Sequence, residues 1–229
     1  MTTSSLINKK KGRFVLIENA TFTHNGISYR VNYKESKRYS PLSSEILVKF
    51  IDEICAMREY YSRVFAFRFD LHVPQGMPIE QSNVLISQLF SKIRDKFRAK
   101  NWDGQPIKKF AYGWVWEIEK AKQAHYHAWI AVPGNQVWKT GHRNTGMFRV
   151  ISELWSELTE GKGLSHLPSE SGHMISRADN DKELRDFVYR VSYLAKDRGK
   201  YSLGDNTKRY DGSRLHGKMK RKSAILLAA

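Results

Sequence analysis

YGWVWEIEKAKQAHYHAWIAV, residues 112–132, decides how the rest of the chain is read. Its apolar residues alternate, and a period of two marks strands rather than helices. In the first half Tyr112, Trp114, Trp116 and Ile118 point one way, and Val115, Glu117 and Glu119 the other. In the second half His125, His127 and Trp129 share one face, while Tyr126, Ala128 and Ile130 share the opposite one. The polar run 119–123 between them marks a turn. Paired antiparallel, the two strands put Glu117 on the face of both histidines, within cross-strand reach. Two imidazoles and a carboxylate converging on one sheet face form a candidate divalent-metal site. Glu119 lies on the same face, closer to the turn, and is the alternative carboxylate.

Upstream, residues 64–73 (VFAFRFDLHV) form a second strong strand. Phe65, Phe67, Phe69, Leu71 and Val73 make its apolar face; Arg68, Asp70 and His72 make a polar one. That polar stripe is either a solvent face or the floor of a site, and beside the His-Tyr-His strand Asp70 and His72 would support the metal ligands from behind. Helical spacing appears over 42–61, where Ser43 or Ser44 can cap the start, and over 79–99, with Val84, Leu85, Leu89, Ile93 and Phe97 at core spacing. After a basic linker, 135–146, a further helix carries Phe148, Ile151, Leu154, Trp155 and Leu158, and Gly161 and Gly163 end it. Near the N-terminus, residues 14–17 and 27–31 read as short strands around the hairpin signal His24-Asn25-Gly26. Residues 164–180 read as loop or short strand.

Residues 181–200 (DKELRDFVYRVSYLAKDRGK) carry the second chemical constellation. At about 100° per residue, Leu184, Phe187, Val188, Val191, Leu194 and Ala195 cluster on one side of a helix. Tyr189, Tyr193, Lys196 and Lys200 fall nearly opposite. In isolation, a solvated face is the better account of that set.

The bulk numbers narrow the partner. With 39 Lys and Arg against 23 Asp and Glu, the net charge is +16, which favours a polyanion such as nucleic acid. The basic run 208–222 suits phosphate backbone. Cys55 is the only cysteine, so there is neither a disulfide framework nor a thiolate zinc site. No apolar run reaches membrane-spanning length and the first residues lack a signal-peptide core, so a cytoplasmic location in a bacterial host and no membrane partner are expected.

A histidine-carboxylate metal site and a Tyr-x-x-x-Tyr-x-x-Lys helix make one chemical machine. A divalent metal held there could polarise a phosphate oxygen, a tyrosine hydroxyl could attack phosphorus, and a lysine could offset the charge. The chain resembles the HUH endonucleases, specifically the rolling-circle replication initiators of the inovirus gene-two (YagK/YfjJ-like) type. FRFDLHVP is similar to the family's first motif, WEIEKAKQAHYHAWIAV to its glutamate-then-HUH block, and YRVSYLAK to its tyrosine motif. The resemblance runs from about residue 65 to 200 and implies His125, His127 and Glu117 as metal ligands. It further implies Tyr193 as nucleophile and Lys196 as its catalytic partner. Tyr189 matches the second tyrosine of two-tyrosine initiators, or is a packing residue.

The resulting expectation is an α+β protein: an antiparallel sheet with the HUH motif on a central strand and helices packed over it, in the RRM- or palm-like arrangement of HUH nucleases. Residues 1–61 form an N-terminal hairpin and helix extension, 62–205 the endonuclease core, and 206–229 a basic tail. The expected activity is site-specific nicking and strand transfer on single-stranded or supercoiled origin DNA through a 5′-phosphotyrosine, with Mg²⁺ or Mn²⁺ as cofactor. Lacking GxxxxGK[ST], the chain would need a partner such as a host helicase, or DNA supercoiling, to open a duplex, and a host polymerase is an expected partner as well. The rivals are an HUH relaxase or transposase, the former disfavoured by the lack of a third clustered histidine, a metallohydrolase without the tyrosine, and a non-catalytic nucleic-acid-binding protein.

Overall fold

The structure, a computed structural model, describes residues 9–11, 14–35, 38–99, 102–118, 123–197 and 207–217. In chain order come β1 (Lys9–Lys11), β2 (Phe14–Ile17), β3 (Thr21–His24), β4 (Ile27–Arg30), β5 (Lys34–Glu35), β6 (Arg38–Tyr39) and β7 (Leu42–Ser43). Then follow α1 (Ser44–Tyr60), β8 (Arg63–His72), α2 (Ile79–Arg98), β9 (Ala111–Glu117), β10 (His125–Pro133) and α3 (Gly146–Leu158). The last elements are β11 (Leu164–His166), β12 (Gly172–Ser176), α4 (Lys182–Ser192) running into a 3-10 turn (Tyr193–Ala195), and β13 (Tyr210–Gly212). No helix among the described residues is long and apolar enough to cross a membrane.

The main sheet has the order β11-β8-β10-β9-β13, with β12 pairing the other half of the edge of β8 that β11 uses. Every one of these pairings is antiparallel. The fold is therefore α+β, with β10 at the centre of the sheet, as the family resemblance implied. Its register sets His125 opposite both Glu117 and His72, and His127 opposite Asp70.

Alternation gives each side of the sheet its own core. One face buries Phe67, Phe69, Leu71, Trp114, Tyr126 and Ile130 against Leu89, Phe90 and Ile93 of α2 and Ile151 and Trp155 of α3. The other buries Ala66, Val115, Trp129 and Ala131 against Phe50 and Ile54 of α1 and Leu184, Phe187 and Val191 of α4. Gly113 makes the second contact possible, because a Cβ there would run into the Phe50 ring and the Trp129 indole. Ser43 is the cap of α1, its Oγ accepting the Ile46 N–H at 3.3 Å.

Several expectations are corrected. Asn25 and Gly26 do form a turn, at φ 50° and 76°, the consecutive left-handed pair of a type I′ hairpin. The strands it joins are β3 and β4, whereas β2 pairs with β1 and β7. Val84 is 54% exposed, because the inward stripe of α2 is Ile86, Leu89, Phe90, Ile93 and Phe97, and two residues before Ile86 is more than half a turn away. Residues 164–180, expected as loop or short strand, do supply short strands, two of them, both paired with β8. Part of the basic run 208–222 is a strand, β13, that completes the edge of β9; residues 218–222 of that run lie outside the described residues.

Candidate metal centre

His127 is the best anchored of the expected ligands. Its buried ring places Nδ1 2.7 Å from Asp70 Oδ1 on the adjacent strand. Arg68, also on β8, sets Nε at 3.3 Å and Nη2 at 3.2 Å from the same oxygen. Arg68 Nη2 also stands 3.0 Å from Nδ1, but the carboxylate can only accept, so the shorter 2.7 Å contact puts the proton on Nδ1 and Asp70 is the acceptor for both groups. That hydrogen bond keeps the proton on Nδ1 and turns the Nε2 lone pair toward Glu117 and His125. Burial would raise the Asp70 carboxyl, but the His127 hydrogen bond and the Arg68 charge outweigh it and hold the group far below the usual carboxylate range.

His125 is oriented the same way by a different device. Its Nδ1 lies 3.2 Å from the Gln123 carbonyl oxygen, which can only accept. Burial, and then the neighbouring His127, lower its basicity and favour the neutral, ligating form. The two Nε2 atoms are 3.0 Å apart, and with both protons on Nδ1 neither nitrogen has one to give the other. Glu117, 2% exposed, brings Oε2 to 3.4 Å from His127 Nε2, and all three donor atoms lie within 4.8 Å of one another.

This donor set fits a divalent ion. Ligand atoms at about 2.1 Å from a shared cation are separated by about 3.0 Å at right angles and about 3.4 Å in a tetrahedron, and two of the three separations here have those lengths. Two imidazoles with one carboxylate accept Mn²⁺ or Mg²⁺, and equally Zn²⁺, Ni²⁺ or Co²⁺. Glu119, the alternative carboxylate, lies outside the described residues.

Further imidazoles surround the three. His72, in register with His125, has its ring centroid 5.8 Å from that ring, and His166 of β11 has Nδ1 3.7 Å from Asp70 Oδ2. His72 stands beside the histidine strand, where its shared strand face with Asp70 allowed it to be, whereas His166 comes from β11, far along the chain, and was missed.

The tyrosine segment arrives from the other side. Regular helix ends at Ser192, and Tyr193 opens the 3-10 turn, its ring edge-on to His127 with centroids 5.6 Å apart. Two cations approach that ring, Arg68 Cζ at 4.7 Å and Lys196 Nζ at 4.5 Å from its centroid. Lys196, expected on a solvent-facing stripe, is 1% exposed. The tightened turn breaks the helical phase, and the chain then bridges Leu42 through Lys196, with the Asp197 N–H donating to the Pro41 carbonyl at 2.9 Å. Tyr189, one turn earlier, packs instead beneath Arg30 of β4, 4.2 Å from Cζ to the ring centroid. Lys200 lies outside the described residues.

The fold thus gathers Glu117, His125, His127, Tyr193 and Lys196 at one end of one sheet face and sets Tyr189 against the N-terminal hairpin. Arg68 is the member that sequence reasoning passed over, its only signal being a shared strand face with Asp70 and His72. The model of the YagK/YfjJ C-terminal domain matches residues 24–213, so the chain belongs to that family. Neither the curated proteins nor the solved structures contain a significant match.

Proposed function

We propose that the chain is a metal-dependent endonuclease that nicks single-stranded DNA through a covalent tyrosine intermediate, and so starts rolling-circle replication of a phage, prophage or plasmid. The observation that carries this reading is Tyr193 standing edge-on to His127 with two cations, Arg68 and Lys196, 4.7 and 4.5 Å from its ring centroid. A divalent cation on Glu117, His125 and His127 would supply Lewis-acid polarisation of a phosphate oxygen. Tyr193 Oη is the nucleophile. Its bond to phosphorus forms as the P–O3′ bond breaks, leaving a 5′-phosphotyrosine; the phenol proton goes to solvent and the released 3′ oxygen gains one. Arg68 and Lys196 offset the negative charge on the phosphoryl group during that exchange. Attack by a 3′ hydroxyl on the phosphotyrosine reverses the steps and joins strands. The net charge of +16 suits a polyanionic substrate, with duplex opening left to a host helicase and synthesis to a host polymerase.

The test is a denaturing gel. Single-stranded DNA carrying the origin of the parent replicon is incubated with protein and Mn²⁺ or Mg²⁺. A slower protein–DNA band that requires metal and disappears in Tyr193→Phe is expected. Cleavage without any such band would replace the reading with a water-using hydrolase.

One rival gains support from His72 beside His125, which supplies the additional imidazole whose lack counted against a relaxase. A relaxase would form the same adduct but would mobilise an origin plasmid between cells without replicating it.

A further inference from the structure

Away from the metal centre a groove of about 900 Å³ opens between the end of α2, the segment leading into β9, and residues 211–215. Five cations line it, Arg94, Arg98, Lys108, Lys109 and Arg214, against one carboxylate, Asp211. Asp211 is already engaged, with Lys208 Nζ at 2.8 Å and Lys49 Nζ at 3.9 Å. Arg98 meets Asp95 at 3.0 Å, an exposed pair that a phosphate can displace at little cost. Arg94 and Arg98 lie one helical turn apart on the exposed side of α2, and Lys108 and Arg214 are exposed as well. The rings of Phe110 and Tyr112 also line it, 5.8 Å apart and tilted by 25°, with Arg94 Cζ 5.8 Å from the Phe110 centroid.

The groove is separate from the metal centre. Tyr112 and Glu117 occupy opposite faces of β9, and at about 3.4 Å per residue they stand about 17 Å apart. The edge strand β13 lies between the two places, with Lys208 exposed at its start.

We propose that this groove holds the phosphodiester backbone of the nucleic acid on which the tyrosine site acts, gripping a segment away from the cut while the strand passes round the β13 edge. The inference rests on the nucleic-acid reading above and adds a second contact to it. Cations on an open groove read charge and not sequence, so binding here is general and falls steeply with salt.

The test measures the affinity of the full chain for a fluorescein-labelled dT30 strand and for a 30-base-pair duplex over a range of salt concentrations. The variant Arg94→Gln/Lys108→Gln/Arg214→Gln is compared with Lys139→Gln/Arg149→Gln/Lys162→Gln, which removes equal charge from exposed positions outside the groove. Losing three phosphate contacts lowers the log–log salt slope for dT30 by about 2 and the affinity at least tenfold, while the second variant stays near wild type. Unchanged thermal unfolding verifies the fold of both. Equal losses in the two variants, or a wild-type slope in the first, would overturn the groove. If the wild type bound neither probe, the groove and the nickase would fall together. If groove-dependent binding were found but origin DNA never gave an adduct, the groove would stand and the nickase alone would fall.

Discussion

On the face that meets α2 and α3, β8 and β10 contribute Phe67, Phe69, Leu71, Tyr126, Ala128 and Ile130, all buried in a continuous apolar core. On the face that meets α1 and α4 the same strands contribute Ala66, Trp129 and Ala131 at one end and Arg68, Asp70 and His127 at the other. A buried charge is tolerated only when paired, and here each polar group finds its partner among the others. The contrast separates a face that is apolar throughout from one that is apolar at one end and gathers buried polar groups at the other.

The largest expected effect lies on the apolar face. Phe69→Ala leaves a hole in a sealed core and should cost about 3–5 kcal/mol in denaturant unfolding. A cost below about 1 kcal/mol would mean that this face is not the structural one. On the polar half, Asp70→Asn keeps the shape and an acceptor for His127 Nδ1 but removes the charge. Titration calorimetry with Mn²⁺ should find affinity reduced roughly 10- to 100-fold, and unaltered affinity would remove Asp70 from the site.

The smallest effect sharpens the comparison by moving to a buried carboxylate outside the site. Glu53 of α1 accepts from the Ser213 hydroxyl and the Leu215 N–H, and its burial raises the carboxyl above the ordinary glutamate value. Because the folded-state value is the higher one, the contribution is fully present below about pH 4.5 and is lost as pH rises through the raised value. Glu53→Gln should remove that dependence, so the difference between wild type and variant in thermal unfolding drifts in the variant's favour between acid and neutral pH, by less than about 1 kcal/mol. A flat difference would show that Glu53 does not titrate in this way.

How much the sequence disclosed follows from the range of each signal. The period of two in YGWVWEIEKAKQAHYHAWIAV correctly put Glu117 and both histidines on one face, because alternation needs only neighbouring residues. The same rule separated Asp70 and His72 from the phenylalanines of β8 but left open whether their face was wet, since that depends on which strand lies alongside. His166 reaches Asp70 only through the β11 pairing, and β13 is a strand because it completes an edge, not because its sequence alternates. Tyr193 was legible as part of a helix motif. The burial of Lys196 was not, since it follows from the 3-10 turn and the bridge to Leu42, contacts between distant parts of the chain.

The two tyrosines of the α4 segment allow the most direct test of the central claim, that Tyr193 and not Tyr189 attacks DNA. Trypsin cutting after Arg185, Arg190 and Lys196 places Tyr189 in DFVYR and Tyr193 in VSYLAK. The metal-dependent adduct with origin DNA would be trimmed with nuclease, digested and sequenced by mass spectrometry. The account expects the nucleotide on VSYLAK and an unmodified DFVYR. A nucleotide on DFVYR with VSYLAK unmodified would contradict it.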